Sequence, residues 1–463
     1  MPRLVVLVVC LPLLTARAQP ASTEPDLHAG HHMPASEPDA GPPMAREGAD
    51  TVPAPLGIPM TRVGSGTAWQ PDSSPMPGVM FLPGAGWELM LHWNLTVGFD
   101  AQTTPRGGHQ WTSMNWVMGM ARHGLGTGLF TARVMLSAEP FTTGGEAGYP
   151  LLLQVGEEVN GQPLHDRQHP HDLFMELAVD HLQPITGWLG FQLYAAAAGE
   201  PALGPVAFPH RLSALPNPFA TLGHHWQDST HIAFGVLTAG LLTRQWKLEG
   251  SWFNGREPDQ NRYDLDFGSL DSWSVRLSFN PTDDWSLQVS YGHLASPEEH
   301  APGVSVERLT ASALHNLRLG PEANWASALV FGNNWTAGHP TTWSALAETS
   351  LELGADTFFG RLEVAQRTGE DLVLEASGGT PDLDGRVFTS AVLELGYLRR
   401  LARLGPVNVG LGAVGSLYLL DGGLTPFYGN ARWPVAGMVF LRLWPTEMHA
   451  GAMGHGEHSG HAH

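Results

Sequence analysis

The sequence predicts an all-β fold: a transmembrane antiparallel β-barrel of about sixteen strands with disordered, His-rich N- and C-terminal tails. Three observations predict it. Apolar and polar residues alternate with a period of two along many segments, the connections between these segments alternate in length, and tryptophans recur at segment ends.

The N-terminus reads as an export signal. Met1-Pro2-Arg3 is followed by the apolar run LVVLVVCLPLL and by Ala16-Arg17-Ala18, so residues 1–18 are expected to be removed and the mature chain to start near Gln19. The run is too short to span a bilayer as a helix. Cys10, the single cysteine, lies inside it, and Val9 stands where a lipoprotein site wants a small residue. The exported chain should therefore have no disulfide and no thiolate, which leaves His, Met, Asp and Glu as metal ligands.

Composition narrows the partners. The chain has 463 residues and a formal charge of −20, with no basic stripe of the kind that binds nucleic acid. Length alone would allow two or three domains, but the periodicity runs through one region. The expected plan is a disordered periplasmic tail with a possible lumen segment at 19–83, a barrel at 84–444 and a His-rich tail at 445–463.

WELMLHWNLTVGFD (87–100) sets the strand pattern. Trp87, Leu89, Leu91, Trp93, Leu95, Val97 and Phe99 form one apolar face, and Glu88, His92, Asn94, Thr96 and Asp100 form the other. SWSVRLSFNP and DWSLQVSYG repeat it, with PTDD as the turn between them. Further segments run at about 108–121, 126–138, 172–182, 188–198, 230–241, 244–253, 304–316, 324–333, 342–353, 357–366, 386–398, 406–418 and 434–444. Short links such as QPITG, LLTRQ and PTDD interleave with long ones near 138–171, 199–229, 253–268, 367–385 and 419–433, as in a barrel with short periplasmic turns and long external loops. An open sandwich, the alternative, needs neither this alternation nor the terminal tryptophans.

That topology places the most polar stretch, PLHDRQHPHD (163–172), in a long external loop entering the strand DLFMELAVDHL. Leu173, Met175, Leu177 and Val179 are expected to face lipid, and Asp172, Glu176 and Asp180 the lumen. A second cluster, LGHHWQDSTHIAFG (222–235), enters another strand at its outer end, with Ile232, Phe234 and Val236 expected toward lipid and His231 inward. One strand separates the two, so they should meet at one mouth, backbones about 10 Å apart. The candidate set there is His165, Asp166, His169, His171, Asp172, His224, His225, Asp228 and His231, with His210 and Arg211 nearby.

The blocks GSGTAWQPDSSPMPG, GWELMLHWN, GYPLLLQVGEEVNGQPLHDRQHPHDLFMEL, GEPALGPVAFPHR and HHWQDSTHIAFGVLTAG resemble signature blocks of a largely uncharacterised bacterial outer-membrane family, over roughly residues 55–444. The resemblance implies a fold and a location. The layout of a His- and Met-bearing tail ahead of a barrel is also similar to copper-resistance outer-membrane proteins of the B type, although the barrel motifs differ from theirs.

The tails supply the second set of candidate ligands. His28, His31, His32 and Met33 lie in HAGHHMP, and His455, His458, His461 and His463 lie in the C-terminal stretch, alongside His449, Met448 and Met453. Imidazole with thioether suits copper, and imidazole alone also suits zinc or nickel. The alternative is a solvated tail with no bound ion.

Three readings of the mouth cluster stay open. It could bind metal, with Asp166 or Asp228 orienting a ligand histidine. It could be catalytic, a His–Asp pair activating water or Ser229, though no nucleophile-elbow motif is present. It could be structural, with Arg167 and Arg211 pairing to carboxylates. Three smaller features complete the set. Met114, Met118 and Met120 form either a soft-metal stripe or ordinary packing. TRVGSGTAWQPDSSPMPG either enters the barrel or is a linker. FLRLW (440–444) should end the last strand with an aromatic near the interface.

The expected protein is a bacterial outer-membrane pore or binding protein for metal cations, copper first, with zinc as the other candidate ion. Lumen carboxylates (Glu88, Asp100, Glu176, Asp180) would favour cations. Its partners would be outer-membrane lipid, metal ions or small solutes, and a periplasmic metal-handling protein. The alternatives are an outer-membrane hydrolase with a His–Asp site and a small-solute porin whose histidines are structural.

Overall fold

A computed structural model describes residues 52–299 and 301–448. The signal segment, the ligands His28, His31, His32 and Met33, and the ligands His455, His458, His461 and His463 lie outside the described residues.

The strands are β1 Val79–Gly84, β2 Trp87–Gln102, β3 Gly108–Leu125, β4 Gly128–Leu136, β5 Tyr149–Val159, β6 Gln162–Gln168, β7 Phe174–Pro184, β8 Gly190–Gly199, β9 Ala233–Leu242, β10 Trp246–Phe253, β11 Ser272–Thr282, β12 Trp285–Leu294, β13 Val306–Gly320, β14 Ala323–Thr336, β15 Thr342–Leu353, β16 Asp356–Arg367, β17 Phe388–Leu404, β18 Val407–Leu419 and β19 Val435–Pro445. Sixteen of these, β2–β4 and β7–β19, close into one antiparallel barrel. Closure is by β19 against β2, from Ala436↔Gln102 to Leu443↔Leu95. Each of the sixteen segments expected from periodicity holds one barrel strand. β1 extends the seam by pairing with the first half of β2, and β5 with β6 forms a separate hairpin in the loop after β4. The alternation did not expose these pieces, because β1 is broken by Pro83 and β5 is apolar on both faces.

The apolar face named on β2 points outward: Leu89, Leu91, Val97 and Phe99 are each more than a third exposed. Tryptophans ring both ends of this belt. Trp246, Trp285 and Trp325 lie near the short turns, and Trp252, Trp273 and Trp335 near the long loops, with Trp252 directly opposite Trp273. Trp325 and Trp335 are ten residues apart, which gives a belt about 25 Å high for strands rising ~3.3 Å per residue at a tilt of ~40°. In water such a surface would be a very large apolar patch, and in a bilayer it is satisfied, as is every ladder hydrogen bond of a closed sheet.

The lumen is filled. Residues 55–78 thread into it, and wall side chains grip their carbonyls. Arg133 Nη1 donates to Gly66 O (2.5 Å), Lys247 Nζ to Thr67 O, Asn280 Nδ2 to Gln70 O (3.0 Å) and Ser286 Oγ to Trp69 O (3.1 Å). The loop between β8 and β9 folds in from the other end. There Arg211 Nε donates to Glu348 Oε1 (2.6 Å), Asn217 Nδ2 to Glu394 Oε2 (2.6 Å), and the amides of Leu222 and Gly223 to Glu363 (3.0 Å each). TRVGSGTAWQPDSSPMPG is thus a lumen segment and not a linker.

Four features depart from expectation. On β9 it is Leu237 and Leu241 that face outward, while Ile232, Phe234 and Val236 are buried against the infolded loop, so the expected lipid face is reversed. Period two separates two faces without saying which meets lipid, and here both are apolar. Met175 is also buried, because the β4–β7 pairing skips it between Met135↔Glu176 and Leu136↔Phe174. Trp444 faces inward over Arg442, whose guanidinium carbon lies 5.0 Å from its ring. The lumen carboxylates do not form a free cation-selective lining: Glu88 pairs with Arg122 (3.0 Å), Glu176 with Arg133 (3.4 Å), and Asp180 and Asp100 accept from Gln192 (2.5 Å) and Gln102 (3.0 Å).

Candidate metal centre

The two sequence clusters meet where β6 runs into β7 and where the short helix α1 (His224–Gln227) runs into β9. Ring centroids lie 5.1 Å apart for His224 and His231, 5.2 Å for His171 and His231, 5.3 Å for His224 and His225, 6.1 Å for His169 and His225 and 6.2 Å for His169 and His224. Phe208 closes one side, 5.4 Å from the ring of His224. A cavity of about 10 Å³ lies among them, room for roughly one water molecule.

Hydrogen bonds fix which nitrogen of each ring carries its proton, because carboxylates and carbonyls only accept. His171 donates from Nδ1 to Glu139 Oε2 (2.9 Å), His224 to Asp228 Oδ1 (2.7 Å), His225 to Glu257 Oε1 (2.9 Å) and His231 to the carbonyl of Asp228 (2.9 Å). The Nε2 atom of each of these four rings takes no part in these bonds. His169 is reversed, with Nε2 3.2 Å from Glu157 Oε1. Among the described residues, His171 Nε2, His225 Nε2, His231 Nε2 and His169 Nδ1 are out of solvent with no hydrogen-bond partner.

Burial disfavours the charged form of four of the rings. It pushes His169 and His231 well below the usual histidine range, aided by the neighbouring imidazoles, lowers His225 to about 4, and lowers His224 against the opposing pull of Asp228. Burial opposes ionisation of Asp228, but the bond from His224 and the charge of Arg211 hold it below the ordinary carboxylate range. Burial and the acidic neighbours Asp266 and Asp259 raise Asp172.

His169, His171, His224, His225, His231 and Asp228 come together. Asp172 pairs with Arg262 (3.5 Å), and His165 is held apart by Asp166 (3.0 Å) and Arg106 (2.7 Å). Arg167 donates to the carbonyls of Ala147 (2.7 Å) and Gly148 (2.5 Å). Ser229 Oγ accepts from Arg308 Nη1 (2.9 Å). The sequence reading passed over Glu139, Glu157, Glu257 and Glu298. Their one signal is acidic residues in otherwise apolar or turn-rich loops. Among the described residues, His225, Glu257 and Glu298 have ligand atoms all within 4.8 Å of one another, as do Asp259, Asp264 and Asp266. His171, His224 and His231 are neighbours by ring centroid, but their ligand atoms do not converge within that distance.

A closed antiparallel sheet with an apolar belt between two aromatic rings defines a bacterial outer-membrane β-barrel. No family model and no curated protein matches the chain. It is similar to solved barrels at low identity. These include a loop-deletion mutant of OmpT from Vibrio cholerae (6% identity over 77% of this chain and 99% of that one, TM-score 0.44). OmpF of Salmonella typhi in complex with daunomycin (10%, 77% and 97%, 0.44) and OprB of Pseudomonas putida at high pH (11%, 78% and 94%, 0.46) are two more. The family resemblance of the motif blocks and the copper-resistance layout gain no relative from these comparisons.

Proposed function

We propose that the protein is an outer-membrane barrel that binds and passes metal cations through the imidazole–carboxylate centre at its outer end. One observation supports this above the rest: five buried imidazoles each have one nitrogen facing a carboxylate or a carbonyl, while four of their remaining nitrogens have no partner. An unpaired buried acceptor costs about 1–3 kcal/mol, and four in one cavity is the arrangement a metal relieves. His225 with Glu257 and Glu298, whose ligand atoms already converge, would hold one ion, and closure of the His171, His224 and His231 side chains would make an adjoining position. Imidazole-rich donors place copper(II) first and zinc next. The His- and Met-bearing tails would collect the same ions, with a periplasmic metal-handling protein as the partner on that side.

The test is metal titration by calorimetry on refolded protein, comparing the mature chain, a version lacking residues 19–54 and 446–463, and the full chain with His171→Gln and His231→Gln. Stoichiometric copper(II) or zinc binding that survives truncation and disappears in the double variant is expected. Binding that follows the tails alone would sink the proposal.

A further inference from the structure

Toward the short-turn end the lumen changes its chemistry. Met90 of β2, Met118 and Met120 of β3 and Met135 of β4 all point inward and are at most 6% exposed. They line or adjoin a cavity of about 70 Å³, into which His92 and His210 also project. The two imidazoles are 5.9 Å apart, with the ring of Trp116 5.2 Å from His92 and 4.9 Å from His210. His92 Nε2 is out of solvent with no partner, and His210 Nε2 lies 3.2 Å from the sulfur of Met135. Leucine would fill this space as well as methionine does, and it would not place thioethers around an unpartnered imidazole nitrogen.

The cavity is one of a series that share lining residues. It shares Asn94, Trp116 and Leu215 with a 40 Å³ cavity that reaches His171, and Pro75, Leu212 and Trp444 with a 360 Å³ vestibule at the short-turn end. His171 in turn borders the outer centre.

We propose that Met90, Met118, Met120, His92 and His210 form a second, lumenal site for a soft monovalent cation, Cu(I) or Ag(I), between the outer centre and the vestibule. Thioether and neutral imidazole are soft donors that favour such ions. The donor set has no carboxylate, so a divalent ion would bring twice the charge into a low-dielectric pocket with nothing to offset it. The site uses other residues than the outer centre and does not depend on it.

The experiment uses the refolded full chain carrying ¹³C-methyl methionine, titrated with Ag(I) and followed by methyl NMR, with resonances assigned from single Met→Leu variants. Ag(I) is expected to shift Met118 and Met120 stoichiometrically, and zinc to leave them in place. Met118→Leu with Met120→Leu, and separately His210→Gln on the infolded loop, should weaken lumenal binding by about 10-fold or more. The His171→Gln and His231→Gln variant should keep the methyl shifts, which separates this site from the outer one. Shifts confined to the tail methionines, undiminished affinity in the lumenal variants, or loss of the shifts in the outer-centre variant would each overturn the proposal.

Discussion

His224 Nδ1 and Asp228 Oδ1 lie 2.7 Å apart, one turn of chain from each other, and both are buried. The other oxygen of Asp228 lies 3.3 Å from Arg211, which donates to Glu348 on β15, which in turn pairs with Arg361 (3.0 Å) on β16. The orientation of one imidazole is therefore set by the barrel wall. Asp228→Ala should lower metal affinity by about 10- to 100-fold through the freed ring. It should also cost about 3–5 kcal/mol by leaving Arg211 buried with one partner fewer. Calorimetry and urea unfolding in lipid vesicles read the two effects separately. Unchanged affinity would mean that Asp228 is structural only.

Gly156 packs against the ring of His225 in that centre. Its φ is +110° and a Cβ there would overlap the ring of His225. Gly156→Ala should strain the β5–β6 hairpin by about 1–3 kcal/mol and turn His225 away from Glu257. Far-UV circular dichroism should show an intact barrel while metal affinity falls. A variant that binds as the parent does would remove His225 from the ligand set.

How far the sequence could be read follows the same physics. Strands were legible because lipid enforces an apolar face, and Leu89 to Phe99 on β2 kept that signal. On β9 the signal misled, since Phe234 and Val236 bury against a loop that the local pattern cannot show entering the lumen. At the centre, imidazoles stood out by residue type. Glu139 and Glu257 did not, because they come from separate loops and meet His171 and His225 only after folding.

The inserted segment is gripped by the barrel wall. Arg62 is buried against Asp72 and the carbonyl of Arg244, its guanidinium 4.7 Å from the ring of Trp69, and Arg276 Nη2 donates to Thr67 Oγ1 (2.7 Å). Deleting residues 55–74 should open a water path through the region this chain occupies. Planar-bilayer recordings are expected to show a clear rise in single-channel conductance over the full protein. Equal conductance would mean that the infolded β8–β9 loop alone closes the barrel.

Glu139 distinguishes ligand orientation from mere proximity. Its Oε2 accepts from both the amide and Nδ1 of His171 (2.9 Å each), and its Oε1 from the amide of Asn115 (3.2 Å), so it fixes the His171 ring against β3 and keeps the Nε2 lone pair turned away from itself. Gln in its place can offer an NH₂ to His171 Nδ1 and stabilise the other tautomer, with the proton on Nε2. Glu139→Gln should therefore lower copper(II) or zinc affinity by about 10-fold or more with little change in unfolding midpoint. His165→Gln is the matched control. His165 is a third exposed and bound to Asp166 and Arg106, so its loss should leave affinity unchanged. Equal losses in both variants would show that the outer loops respond as a whole to any change in polarity, and the centre would lose its specific ligand geometry.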